Sequence, residues 1–286
     1  MNLEPPPSTN TTFNWIWIKW LYNLYEWVKD NILKDYVLEV GRGNINGVTF
    51  MFAKGEFESG NATASGEDVC RSEDVSGPST LLWPADAGEQ MSIVSTSAAD
   101  NGTSVTGALT VTIEYLDADG NEQTETKTID GQTVVHTTAT NIRFVNDFYV
   151  KTVGSGGVAA GNISIYKFGG SIGTNLYNII ALGGNKSLVP HRMVPLGKKL
   201  YLMVWRCSEA QGKRTAFRIR STDMNGVLHP GVFLFKDTAY IKQDSTGDLS
   251  LHAIKIPALS MIKVSYWSAQ AGAEGSCSWW GYLVND

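Results

Sequence analysis

The sequence predicts a mainly-β protein in which an N-terminal amphipathic helix precedes two β-rich units, the C-terminal one a sandwich or jelly roll. Three observations carry that reading. Glycine supplies 29 of the 286 residues, so turns are frequent. Thr, Val, Ile and Tyr alternate through long stretches, the period-two pattern of strands with one buried face. One segment, Asn14 to Asp30, breaks that pattern with a dense run of tryptophan at helical spacing.

Residues 1–12 are predicted to form an extended arm, because Pro5, Pro6 and Pro7 favour polyproline II and the polar residues after them add no core. Thr12 or Asn14 then caps a helix. Residues 13–35 form that helical segment. Phe13, Trp17, Trp20, Leu21, Leu24, Trp27, Val28 and Ile32 recur three and four apart, and Lys19, Asn23, Glu26 and Asp30 mark a narrow polar stripe. Trp17, Trp20, Leu24 and Trp27 together carry on the order of 600 Å² of apolar surface, whose burial contributes roughly 15 kcal/mol before entropy costs. Soluble monomers rarely expose a patch of that size. The eight apolar residues are therefore candidate anchor and assembly residues, covered by the chain's own β-domain, by sister copies or by another protein. Lys19, Glu26, Lys29 and Asp30 interrupt the segment, so no membrane span of ~20 apolar residues is expected.

Residues 36–182 read as a β-rich domain. "YVLEV" and "VTFMFA" are predicted strands, and "KGEFESGNATASGEDVCRSEDVSGPST" a long surface loop. In "ALTVTIEYLDADGNEQTETKTIDG", Leu109, Val111, Ile113 and Tyr115 alternate with polar residues before a turn at Asp117–Asn121, which predicts a hairpin. "IRFVNDFYVKTV" and "GNISIYKF" add strands, and "GGSIGTNLYNIIALGGNKS" joins the halves as a loop or short helix. Residues 183–286 hold six further predicted strands, spaced as in a sandwich or jelly roll.

Catalytic signals are sparse. The four histidines show no metal-ligand spacing, and neither HExxH nor GxSxG occurs. "DADGNE" fails as an EF-hand, because Glu122 stands where glycine is needed. "GSGGVA" precedes a strand rather than a helix and so lacks the amides of a phosphate site. Cys70, Cys207 and Cys277 form no CxxC pair and read as buried thiols. No enzyme activity, catalytic residue, cofactor or metal is predicted. A net charge of −5 argues against nucleic acid as a partner. Lys198, Lys199, Arg206, Lys213, Arg214, Arg218 and Arg220 could make a local basic patch, though charges on exposed strand faces explain them as well. Trp83, Trp267, Trp279 and Trp280 are candidates either for stacking on sugar rings or for packing in the core or at an interface.

Three stretches carry a family resemblance. The opening "PPPSTNTTFNWIWIKWLYNLYEWV" resembles N-terminal segments of tailed-bacteriophage virion proteins, in which prolines lead into a Trp- and Leu-rich helix. "MSIVSTSAADNGTSVTGALTVTIEYLDADGNEQTETKTIDGQTVV" resembles a module common in phage structural proteins. "VPLGKKLYLMVWRCS", "GKRTAFRIRS" and "IKIPALSMIKVSYWSA" resemble the β-sandwich half of the same proteins. The resemblance implies a non-enzymatic, podovirus-like virion component of the tail or neck, made in the host cytoplasm. It would assemble as a symmetric homo-oligomer, such as a trimer, with other virion proteins and be anchored by its N-terminal helix. The alternatives are a capsid decoration or head-fibre protein and a glycan-binding host-adsorption module that would use Trp267, Trp279 or Trp280.

Overall fold

The structure is a computed structural model that describes residues 15–31, 36–60, 67–69, 81–103, 106–222, 232–242 and 247–286. It divides into two compact units, residues 1–50 and 51–286.

The first unit holds α1 (Trp15–Asn31) and α2 (Tyr36–Gly41). Helical periodicity puts Trp17 and Trp20 on one side of α1, where their rings meet edge to face with centroids 6.0 Å apart. Leu21, Tyr22 and Tyr25 are exposed. α2 corrects the strand predicted for "YVLEV". Glu39 is buried and accepts hydrogen bonds from Arg42 Nη1 at 2.9 Å and Asn44 Nδ2 at 2.7 Å. A single helical turn brings Glu39 and Arg42 onto one face, which a strand does not do. No helix among the described residues is long and apolar enough to cross a membrane.

The second unit is built from strands. In chain order the early strands are β1 (Val48–Gly60), β2 (Glu67–Asp68), β3 (Met91–Ser95), β4 (Ala108–Asp117) and β5 (Glu122–Thr128). Then come β6 (Val135–His136), β7 (Ile142–Val153), β8 (Ile163–Lys167), the one-turn α3 (Ile172–Asn175) and β9 (Leu176–Ile180). The remainder are β10 (Arg192–Met193), β11 (Lys198–Glu209), β12 (Thr215–Ser221), β13 (Leu234–Ile241), β14 (Gly247–Ile256), β15 (Met261–Ser268) and β16 (Ala273–Asn285). They pair into four antiparallel sheets. The first runs β1-β16-β11-β14, and the second β10-β15-β12-β13 with β2 on β15. The third runs β6-β3-β8-β9, and the fourth β5-β4-β7.

Four mainly-β blades, the sheet count of a four-bladed β-propeller, replace the sandwich or jelly roll expected at residues 183–286. The C-terminal strands do not close on one another as a two-sheet domain. Their sheets recruit β1 and β2 from residues 48–68. Alternation within a strand decides which face is buried, but not which distant strand lies beside it. That is why the local pattern was right about strands and wrong about their assembly.

The blades pack in succession. Phe57, Trp205, Phe217, Tyr266 and Trp279 belong to one core between the first and second sheets. Leu116 and Phe144 of the fourth sheet meet Met193 and Met261 of the second. Ile93, Ile113, Phe148 and Ile165 fill a core between the third and fourth. Asn146 ties the fourth sheet to the second with a reciprocal pair of bonds, donating Nδ2 to Met193 O at 3.0 Å and accepting Met193 N at 2.7 Å.

The expected tail or neck component, anchored by its helix, rested on a helix followed by a sandwich or jelly roll. It falls with that fold. The blades turn their apolar faces on one another, and nothing among the described residues makes α1 an anchor.

The hairpin predicted at residues 108–128 is present as β4 and β5, in the register Thr112 opposite Thr126. "DADGNE" is its turn. Asp117 Oδ1 accepts the amides of Asp119 at 3.0 Å and Asn121 at 2.9 Å, and Gly120 takes φ +88°. Those bonds, more than the burial that opposes them, hold the Asp117 carboxyl below the usual carboxylate range.

Candidate functional site

The outer face of the second sheet gathers the chemistry. In "AFRIRS" of β12, Phe217 and Ile219 are fully buried in the first core, so alternation sends Ala216, Arg218 and Arg220 to the opposite face. In β15, Ile262, Val264 and Tyr266 face the core, and Lys263, Ser265 and Trp267 point outward. Register then sets three rows across the sheet. Tyr240, Ala216 and Trp267 share one row; Thr238, Arg218, Ser265 and Asp68 the next; Phe235, Arg220 and Lys263 the third.

Cations and rings interleave along this face. Arg218 Cζ lies 4.0 Å from the Trp267 ring centroid and 5.1 Å from that of Phe235. Arg220 Cζ lies 5.3 Å from Trp267 and 5.6 Å from Phe233. Lys263 Nζ lies 4.6 Å from Phe233 and 5.4 Å from Trp83. The rings also touch edge-on, Phe235 with Trp267 and Trp83 with Phe233. Each cation sits against a π face whose negative quadrupole attracts it.

One carboxylate stands beneath them. Asp68 is 2% exposed, with Oδ1 3.0 Å from Lys263 Nζ and 3.7 Å from Arg220 Nη2. Ser265 Oγ donates to the same Oδ1 at 2.8 Å and receives a hydrogen bond from Arg220 Nη2. Lys263 and Arg220 thus share Asp68, and Arg218 makes no ion pair among the described residues of this face. Arg220 Nε is buried and has no hydrogen-bond partner among them. Burial pushes the Lys263 ammonium and the Arg220 guanidinium below their usual ranges, with Asp68 acting against the shift. His191 is buried nearby. Burial holds it down to about 4, Asp68 opposes this, and Lys263, Arg192 and Arg220 reinforce it. Its imidazole is neutral at pH 7, and Nε2 lacks a hydrogen-bond partner among the described residues.

Such a face can stack ring-shaped ligands and donate hydrogen bonds from a guanidinium fork. No group of three or more His, Cys, Asp or Glu that could hold a metal occurs among the described residues. A shallow groove on the outer face of the first sheet, lined by Phe52, Lys54, Arg206, Ser208, Ser276 and Ser278, has a polar rim but no comparable ring cluster.

Of the tryptophans proposed for sugar or interface contact, Trp267 lies in the cluster and Trp83 at its edge. Trp279 is fully buried opposite Trp205 and donates Nε1 to Pro190 O at 3.0 Å, so it belongs to the core. Trp280 is half-buried on the first sheet, its ring edge-on to Tyr282. Among the anchor candidates, Trp17, Trp20, Leu21 and Leu24 lie on α1. The side chains of Trp27 and Val28, like Phe13 and Ile32, lie outside the described residues. Cys207 and Cys277 are buried free thiols facing each other across β11 and β16. Burial raises both above the usual thiol range.

Asp68, Phe233, Phe235, Tyr240 and Lys263 were not singled out from sequence. Arg218 and Arg220 were, within the basic patch, and their i, i+2 spacing was the signal that they share a face. No protein-family model matches this chain, and no curated protein matches it.

Proposed function

We propose that the protein is a non-catalytic carbohydrate-binding module whose site is the outer face of the second sheet, and that it serves host adsorption on a phage virion. The observation that carries the binding reading is the interleaved ladder of Trp267, Arg218, Phe235, Arg220, Phe233 and Lys263. Aromatic faces stack on the C–H faces of sugar rings, and fixed donors beside them orient hydroxyls. Tyr240 and Phe235 are 68% and 58% exposed and so offer open ring surface to a ligand. The phage setting draws on the sequence resemblance. Single sugar sites bind weakly, so self-association into a homo-oligomer would multiply the contact.

A glycan array with the wild type and with Trp267→Ala and Tyr240→Ala tests the reading. The wild type is expected to retain a defined glycan class, both variants to lose it, and Trp280→Ala to keep it. Retention by all three variants would remove the second-sheet face from consideration.

A further inference from the structure

We propose that the ligand is an acidic sugar whose carboxylate is received by the Arg218 guanidinium while its ring lies between Tyr240 and Trp267. This rests on the carbohydrate reading above and names the class of sugar that the face selects.

Charge is the first support. The chain as a whole carries −5, yet this face sets Arg218, Arg220 and Lys263 against Asp68 alone among its described residues. The excess runs against the protein's overall sign, so it is a local arrangement and not a by-product of a basic chain. Asp68 is spent on Lys263 and Arg220, and Arg218 has no carboxylate partner among the described residues.

Accessibility is the second. The side chains of Arg220 and Lys263 are 19% and 10% exposed, roofed by Phe233 and neighbouring rings. They act as a fixed positive background. Arg218, half-buried like Arg220, is braced on Trp267 at 4.0 Å and held by no ion pair among the described residues, and a braced fork loses little freedom when it grips a carboxylate.

Shape is the third. Tyr240 and Trp267 flank Ala216 in one row, so two aromatic side chains stand on either side of a single methyl group. Neighbouring strands lie ~4.8 Å apart, which puts the two flanking backbones roughly 10 Å from one another, a span suited to one pyranose ring. Arg218 is the next outward residue along β12, at the end of that slot. A phosphate polymer is a poorer fit, because it needs a track of exposed cations, and here each cation lies against rings while Arg220 and Lys263 are also paired with Asp68.

The test titrates the intact protein by calorimetry with sialyllactose and with tetragalacturonic acid, against lactose and maltotetraose as neutral probes. At least one acidic probe is expected to bind about tenfold or more tightly than both neutral ones, with affinity falling as salt rises. Arg218→Gln should erase the preference, Arg218→Lys should restore part of it, and Tyr240→Ala should weaken all binding. Thermal unfolding of each variant checks that the fold persists. Equal affinity for acidic and neutral probes, unchanged in Arg218→Gln, would overturn the acidic inference and leave the carbohydrate reading standing. Acidic binding that survives both Arg218→Gln and Tyr240→Ala would overturn the assignment to this face. No binding of any probe, together with an empty glycan array, would overturn both.

Discussion

The Arg218 guanidinium lies 4.0 Å from the centre of the Trp267 ring, although register places the two residues on the diagonal between β12 and β15. Diagonal neighbours in a sheet are 7–8 Å apart at the backbone, within reach of long side chains only. The contact is thus a property of these two side chains, and a double-mutant cycle should reveal it. Arg218→Ala and Trp267→Ala are expected to show a coupling of about 1 kcal/mol in urea unfolding. Simple additivity would mean that the stacking contributes nothing.

Asp68 is the buried counter-charge of the same face. Asp68→Ala should destabilise the protein by about 3–5 kcal/mol, because Lys263 and Arg220 would be left buried without a carboxylate. A second substitution, Lys263→Met, should recover part of that loss by removing one of the stranded charges. Chemical denaturation of the single and double variants measures both numbers.

His191 makes stability depend on pH. Its folded value of about 4 lies below the ordinary 6.5. Between these values the unfolded chain takes up a proton that the folded one refuses, so stability is full above about pH 6.5 and is lost as pH falls towards 4. The size of the effect is up to roughly 3 kcal/mol. Carboxylates titrate in part of the same window, so the comparison with His191→Gln isolates the histidine. The variant should lose less stability between pH 7 and pH 4.5 than the wild type, and parallel profiles would refute the assignment.

Asn146 behaves as a one-residue strand that pairs with Met193. Asn146→Ala leaves the buried Met193 amide and carbonyl without those bonds, at an expected cost of about 2–4 kcal/mol. Hydrogen exchange reads it directly. The Met193 amide should lose protection in the variant, while the amides of β16 keep theirs at low denaturant.

Much of the fold was legible wherever partners are near in sequence. The β4–β5 hairpin could be read because alternation and its Asp-Ala-Asp-Gly turn lie within one short stretch. α2 could not, because five residues of "YVLEV" satisfy a strand as well as one helical turn, and only the burial of Glu39 against Arg42 and Asn44 decides between them. The grouping into four sheets was illegible because it depends on β1 finding β16 and β2 finding β15. The candidate site was half legible. Trp267 stood out by type and Arg218 with Arg220 by spacing. Asp68 was hidden, because its two-residue strand lies far along the chain from Ser265 and Lys263.

The pairing of β1 with β16 also bears on how the protein is made. β1 ends at Gly60 and β16 begins at Ala273, so during synthesis the first strand waits for most of the chain before its neighbour exists. β16 lies between β1 and β11 and brings Cys277, Trp279 and Leu283 into the first core. A nascent chain lacking it has an unzipped edge on both β1 and β11 and an apolar surface with nothing to cover it. Long-range closures of this kind fold slowly. The first core therefore becomes complete only after translation has passed Leu283, and ribosome-bound intermediates of this protein would be natural clients for a chaperone.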